Sequence, residues 1–132
     1  MRLEAVRQIL DCRVLVGDDK LDHEVDVGCG ADLMSDVLAF IKPKALLLTG
    51  LTTVQSVRTA DVAEVRAIVY VRGKPPDKEA ITLARETGIV LLSTNLPMYE
   101  ACGKLYACGL RGGSELQEGL SDVGGAPLRS TL

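Results

Sequence analysis

Ten residues in four short stretches carry most of the chemistry open to this 132-residue chain. Gly28 and Gly30 flank Cys29 and precede Asp32; Thr49, Gly50 and Thr52 lie in T-G-L-T-T; Arg72 and Lys74 enclose a glycine; Ser93 and Asn95 lie in S-T-N. Each stretch falls where an apolar run gives way to an amphipathic one. Helix starts leave backbone N–H groups without intrahelical partners, and small hydroxyls and two cations beside them suit an anion, most simply the phosphates of a nucleotide. Turns and helix caps use the same residue types with no ligand at all, so these positions support a structural reading as well.

Sharper motifs fail on the text. A dinucleotide fingerprint starting at Gly28 needs glycine where Leu33 stands, and the next strand ends in Leu48 and Thr49 rather than in an acid for a ribose. No G-K-[ST] occurs, which removes the P-loop. His23 is the sole histidine and is remote in sequence from every nucleophile, so it reads as structural rather than as a general base. Asp18, Asp19, Asp22, Glu24 and Asp26 lack EF-hand spacing and read as a solvated edge rather than a divalent-ion site. Cys12, Cys29, Cys102 and Cys108 show neither C-x-x-C pairing nor zinc or iron-sulfur spacing, and Cys102 and Cys108 fall on different faces of one helix. Free thiols are therefore expected. Cys29 alone has a functional reading, since a helix N-terminus lowers a thiol pKa; the alternative is a small buried cysteine filling a turn. No nucleophile is paired with a base, so no catalytic residue, metal or cofactor is expected, and the protein reads as a non-enzyme.

The elements that position these residues follow from periodicity. Leu3, Val6, Ile9 and Leu10 predict a helix, and Arg13–Val16 a strand. G-D-D-K at 17–20 predicts a turn into a second strand, His23–Val27, so this segment reads as a meander. Gly28–Ala31 reads as a glycine turn, and Asp32–Ile41 as a helix whose Leu33, Met34, Val37, Leu38 and Ile41 pack on a sheet or form a subunit contact. Three strands apolar on both faces start at Ala45, Ala67 and Ile89, an even step of 22 residues. Between them, Thr52 or Thr53 caps a helix through Val62, and Pro75-Pro76-Asp77 opens one that Gly88 ends. Asn95 and Pro97 open the last, with Met98, Cys102, Leu105 and Tyr106 inward.

Buried strands alternating with helices predict a three-layer α/β/α domain with a mainly parallel sheet over residues 1–110. From 111 to 132 glycine and scattered polar residues predict a flexible tail. A 47% hydrophobic content with one Phe, three Tyr and no Trp demands an aliphatic core. A net charge of −3 and the lack of a basic run argue against nucleic acid. Apolar runs far shorter than the ~20 residues of a spanning helix argue against a membrane, and with no apolar leader block the expectation is a cytoplasmic protein.

Taken together, V-L-V-G-D-D-K-L-D-H-E-V, G-C-G-A-D-L-M-S-D-V-L-A-F, L-L-T-G-L-T-T-V-Q-S-V-R-T-A, A-I-V-Y-V-R-G-K and I-V-L-L-S-T resemble the DRTGG domain family over about residues 1–110. The chain is similar to its small stand-alone bacterial and archaeal members, some of which accompany iron-only hydrogenase genes. Other members are attached to phosphotransacetylases and CBS-domain pyrophosphatases, where they regulate and help form dimers. The resemblance implies a fold similar to the N-terminal domain of HPr kinase/phosphorylase and carries no established catalytic activity. The pentapeptide D-R-T-G-G itself is absent, so no ligand residue is carried over from the family. The expectation is a regulatory homodimer sensing a small anionic ligand such as an adenine nucleotide; the alternative is a ligand-free dimerisation or scaffold domain for a partner such as a hydrogenase-related protein.

Overall fold

The computed structural model describes residues 1–114. In chain order the elements are α1 (Leu3–Leu10), β1 (Arg13–Val16), β2 (Gly28–Gly30), α2 (Met34–Phe40), β3 (Leu46–Thr49), α3 (Val54–Val62), β4 (Ala67–Tyr70), α4 (Lys78–Thr87), β5 (Val90–Ser93) and α5 (Met98–Ala107). The strands form one sheet in the order β1-β5-β4-β3-β2. Strands β2 to β5 are parallel, and β1 lies antiparallel against β5 with a register shift between Val14 and Val16.

Successive side chains of a strand point to opposite faces, and the apolar runs therefore fill two cores. Leu46, Leu48, Ala67, Val69, Val90 and Leu92 pack with Leu3, Val6 and Leu10 of α1 and Ala101 and Leu105 of α5. Leu47, Ile68, Tyr70 and Leu91 pack with Met34 and Val37 of α2, Val57 and Ala60 of α3, and Ala80 and Ala84 of α4. The result is the expected three-layer α/β/α arrangement. Because α2, α3 and α4 all cross over on one face, each new parallel strand is laid down on the same side of the previous one.

The start of the domain departs from expectation. His23–Val27 is not a strand: it is tied to the N-terminus by an isolated bridge between Glu24 and Arg2, by Leu3 N donating to His23 O at 2.8 Å, and by Val25, which donates to Met1 O at 2.8 Å and accepts from the Met1 ammonium at 2.9 Å. The alternation arises because Val25 and Val27 are buried while their neighbours are exposed, without a ladder beside them. The strand lies in the run read as a turn, Gly28–Gly30, paired with Leu46–Leu48. Thus β1 and β2 occupy opposite edges of the sheet, and the segment is no meander. Neither Gly28 nor Gly30 has a positive φ. Glycine is needed for space: a Cβ on Gly28 would lie 3.1 Å from Leu110 Cδ2, and one on Gly30 would lie 2.8 Å from Cys102 Sγ.

Helix α2 is shorter than Asp32–Ile41. At the end of its layer, beside α3, it buries Met34 and Val37 but leaves Leu33, Leu38 and Phe40 exposed. The other helices sit where their signals place them: Thr53 precedes α3, Asp77 precedes α4, and Gly88 ends α4 in the left-handed region at φ 78°. In α5 the inward residues are Ala101 and Leu105, and Tyr106, expected inward, is exposed. The chain then returns to the sheet edge, where Gly28 N donates to Arg111 O at 2.9 Å and Gly28 bridges Gly112. The rest of the expected tail, from 115 on, lies outside the described residues.

Candidate functional site

Parallel strands release their following loops at one edge, and the four loops after β2, β3, β4 and β5 gather there. They are bonded to one another. Asp32, expected at the start of its own helix, instead reaches the next loop: its Oδ1 accepts from Gly50 N at 2.7 Å and from Thr49 Oγ1 at 3.2 Å. Asp77 N donates to Thr52 O at 2.9 Å, joining the second and third loops. Arg72 N donates to Leu96 O at 2.9 Å and Gly73 N to Thr94 O at 2.8 Å, joining the third and fourth.

Two threonines fix the inner ends of these loops. Thr49, fully buried, donates to Asp32 and accepts from Leu51 N at 3.1 Å. Thr94, also buried, donates to Leu10 O at 2.7 Å and accepts from Leu96 N at 3.3 Å. Sequence reasoning missed Thr94, yet the signal is there: T-G-L and T-N-L both put a hydroxyl two residues before an N–H it caps. Ser93 is half-buried at the end of β5, Thr52 and Gly50 are half-buried, and Arg72, Lys74 and Asn95 are exposed. Arg72 and Gly73 have φ of 64° and 67°, so this loop turns through two consecutive left-handed residues. A Cβ on Gly73 would lie 2.7 Å from Asn95 Oδ1, the tip of an exposed side chain that can turn away, so it is the positive φ that favours glycine where the third loop passes the fourth.

Below the edge, Ser56 Oγ donates to Thr53 O at 2.7 Å and lies 2.8 Å from Tyr70 Oη. A serine has one proton to give, so the Tyr70 hydroxyl is the donor in the second bond. Burial pushes the Tyr70 pKa up, with a smaller push from Asp77.

Gly28 and Gly30 are placed elsewhere. They line a pocket of about 260 Å³ between β2 and α5, with Cys29, Leu48, Cys102 and Leu105 among its walls. Cys29 lies inside β2 rather than at a helix start, and burial, then the neighbouring Cys102 and Asp36, push its pKa up. The activated-thiolate reading of Cys29 is thereby corrected. Burial also raises the Cys102 pKa and carries that of Cys12 to about 12. Among the described residues, no group of three or more His, Cys, Asp or Glu side chains is placed to hold a metal, and no helix is long and apolar enough to cross a membrane.

The open, mainly parallel sheet between two helical layers, with its loops drawn to one edge, defines a small three-layer α/β domain. The chain belongs to the DRTGG domain family, whose model matches residues 5–108. Among solved structures it is similar to the CBS and DRTGG domains of the regulatory region of Clostridium perfringens pyrophosphatase, a complex with its activator diadenosine tetraphosphate. The TM-score is 0.63 at 16% identity, over 76% of this chain and 44% of the other. The present chain thus spans less than half of that region, and the likeness establishes the fold. None of the curated proteins matches it.

Proposed function

We propose that this DRTGG domain is a non-catalytic regulatory module, a homodimer that senses a small anionic ligand of the adenine-nucleotide class at its four-loop edge. The observation that carries this reading is the convergence of the loops around Gly50, Arg72, Lys74 and Asn95, with two exposed cations and the starts of α3, α4 and α5 at the edge formed by the carboxyl ends of the parallel strands. The diadenosine tetraphosphate activator of the pyrophosphatase regulatory region adds support for the ligand class.

The test is a thermal-shift titration with diadenosine tetraphosphate, ATP and inorganic phosphate, with and without Mg²⁺. A ligand a hundredfold above its dissociation constant adds about 2.7 kcal/mol to the folded state. Replacing Arg72 and Lys74 together by alanine should abolish the shift; an unchanged response in that variant removes the loop edge as the site. A scaffold reading is favoured by a different observation, the exposure of Leu33, Leu38, Phe40 and Tyr99, and a flat response to every ligand with a stable dimer would support it.

A further inference from the structure

We infer that the outer face of α5 is the dimer surface, two copies of the helix packing antiparallel about a two-fold axis near Gly103; this rests on the homodimer proposed above. Helix α5 buries Ala101 and Leu105, and at 3.6 residues per turn the direction opposite them is that of Gly103. Among the described residues a Cβ there would meet nothing within 4 Å, so none of them requires the glycine. Glycine inside a helix costs about 1 kcal/mol relative to alanine, a cost that close approach of a second helix explains. A shallow groove runs along this face, lined by Tyr99, Cys102, Gly103, Tyr106 and Ala107 and flanked by Glu100 and Lys104.

The arrangement around Gly103 is self-complementary. Tyr99, 89% exposed, and Tyr106, 47% exposed with the Arg111 guanidinium 4.2 Å from its ring centre, stand on one flank, separated by two helical turns. Glu100 and Lys104 stand on the other. In an antiparallel pair a two-fold axis near Cys102–Gly103 sets Tyr99 against Tyr106 of the second copy and Glu100 against its Lys104, each contact occurring twice. The ion pair found among the described residues joins Arg7 and Glu4, and neither Glu100 nor Lys104 forms one there. Helix α2 offers the other exposed apolar face, but it carries Asp36 and no cation, so two copies of it would bring like charges together. Charge complementarity therefore selects α5.

Sedimentation velocity over a concentration series tests this on the full chain. Gly103→Gln should weaken the dimer at least about tenfold while leaving the melting temperature unchanged or higher at a dilution where both proteins are monomeric, because glutamine is the better helix former. Glu100→Lys alone should weaken it, and Glu100→Lys with Lys104→Glu should restore it, since the double reversal recreates both pairs. A wild-type dimer untouched by Gly103→Gln, or one that dissociates on Phe40→Ser instead, overturns this surface and leaves the homodimer standing. A single reversal not restored by the double overturns the antiparallel pairing. A wild-type chain that is monomeric throughout overturns both the surface and the homodimer.

Discussion

Asp32 Oδ1 accepts the Gly50 N–H at 2.7 Å, so a carboxylate of one loop fills the donor that opens the next. The bond ties the entry of α2 to the β3–α3 connection and leaves negative charge beside the proposed anion site. Asp32→Ala should therefore do two opposite things. It should lower stability by about 1.5–3 kcal/mol, the usual worth of hydrogen bonds to a charged acceptor, because the buried Thr49 hydroxyl loses its partner as well as the Gly50 N–H. It should also tighten nucleotide binding, since a like charge is removed and the Gly50 N–H is released. Urea unfolding and calorimetric titration of the same variant read the two effects separately.

The glycine strand predicts a second outcome. Gly30→Ala puts a methyl 2.8 Å from Cys102 Sγ, and overpacking of this kind costs about 1–3 kcal/mol. Cys102→Ala removes the obstructing atom, so the double variant should recover much of that loss, and a double-mutant cycle should give a favourable coupling. Gly28→Ala should cost less, because the closest atom, Leu110 Cδ2 at 3.1 Å, ends a side chain with room to turn. Additive effects of Gly30→Ala and Cys102→Ala would mean that α5 does not rest on β2 in this way.

Buried hydroxyl and thiol groups set the alkaline limit of stability. The Tyr70 pKa is raised by burial, and that of Cys12 is raised from 9.0 to about 12 by burial and then by the nearby Asp11. For a group whose folded pKa lies above its unfolded one, the unfolded chain loses the proton first, so stability is intact below the unfolded pKa and falls as pH rises through the folded one. Unfolding free energy should consequently decline between about pH 9 and pH 12, and Cys12→Ala should flatten the slope. Tyr70→Phe should flatten the part above pH 10 and cost about 1 kcal/mol at neutral pH, whereas Ser56→Ala should cost more because it leaves a buried tyrosine hydroxyl without its acceptor.

Where the sequence reading held, one physical signal dominated. Ala45, Ala67 and Ile89 begin runs apolar on both faces, a pattern that a covered parallel sheet accommodates; Gly88 ends α4 as its signal says, while Thr53 and Asp77 stand at the starts of α3 and α4 without a side-chain capping bond. The same signals placed the loops after β3, β4 and β5 on one edge, while most of the first, read as Gly28–Ala31, is strand β2. The reading failed where long-range packing decides. Val25 and Val27 alternate like a strand because a core lies beneath them, and Gly28–Gly30 looked like a turn because glycine freedom of φ and glycine absence of a side chain are the same letter. Asp32 could not be assigned to Gly50 from spacing, since that bond spans 18 residues and depends on how two loops meet. Cys29 was misplaced for the same reason: once its strand moved, the helix start that would have activated it was gone.

Arg72 separates stability from ligand binding most cleanly. Its φ of 64° is costly for a side chain with a Cβ, about 1–2 kcal/mol, and it is held there by Arg72 N donating to Leu96 O. Arg72→Gly relieves that strain but enlarges the freedom of the unfolded chain by about 0.4–1 kcal/mol. The difference favours the variant, so Arg72→Gly should unfold at a higher urea concentration than the wild type. Arg72→Ala keeps the strain and should not. If Arg72 contributes a cation to an anionic ligand, both variants should lose ligand-dependent stabilisation to the same degree despite their different stabilities. A protein that grows more stable on Arg72→Gly and still responds fully to nucleotide would show that the arginine, strain included, serves something other than the loop edge.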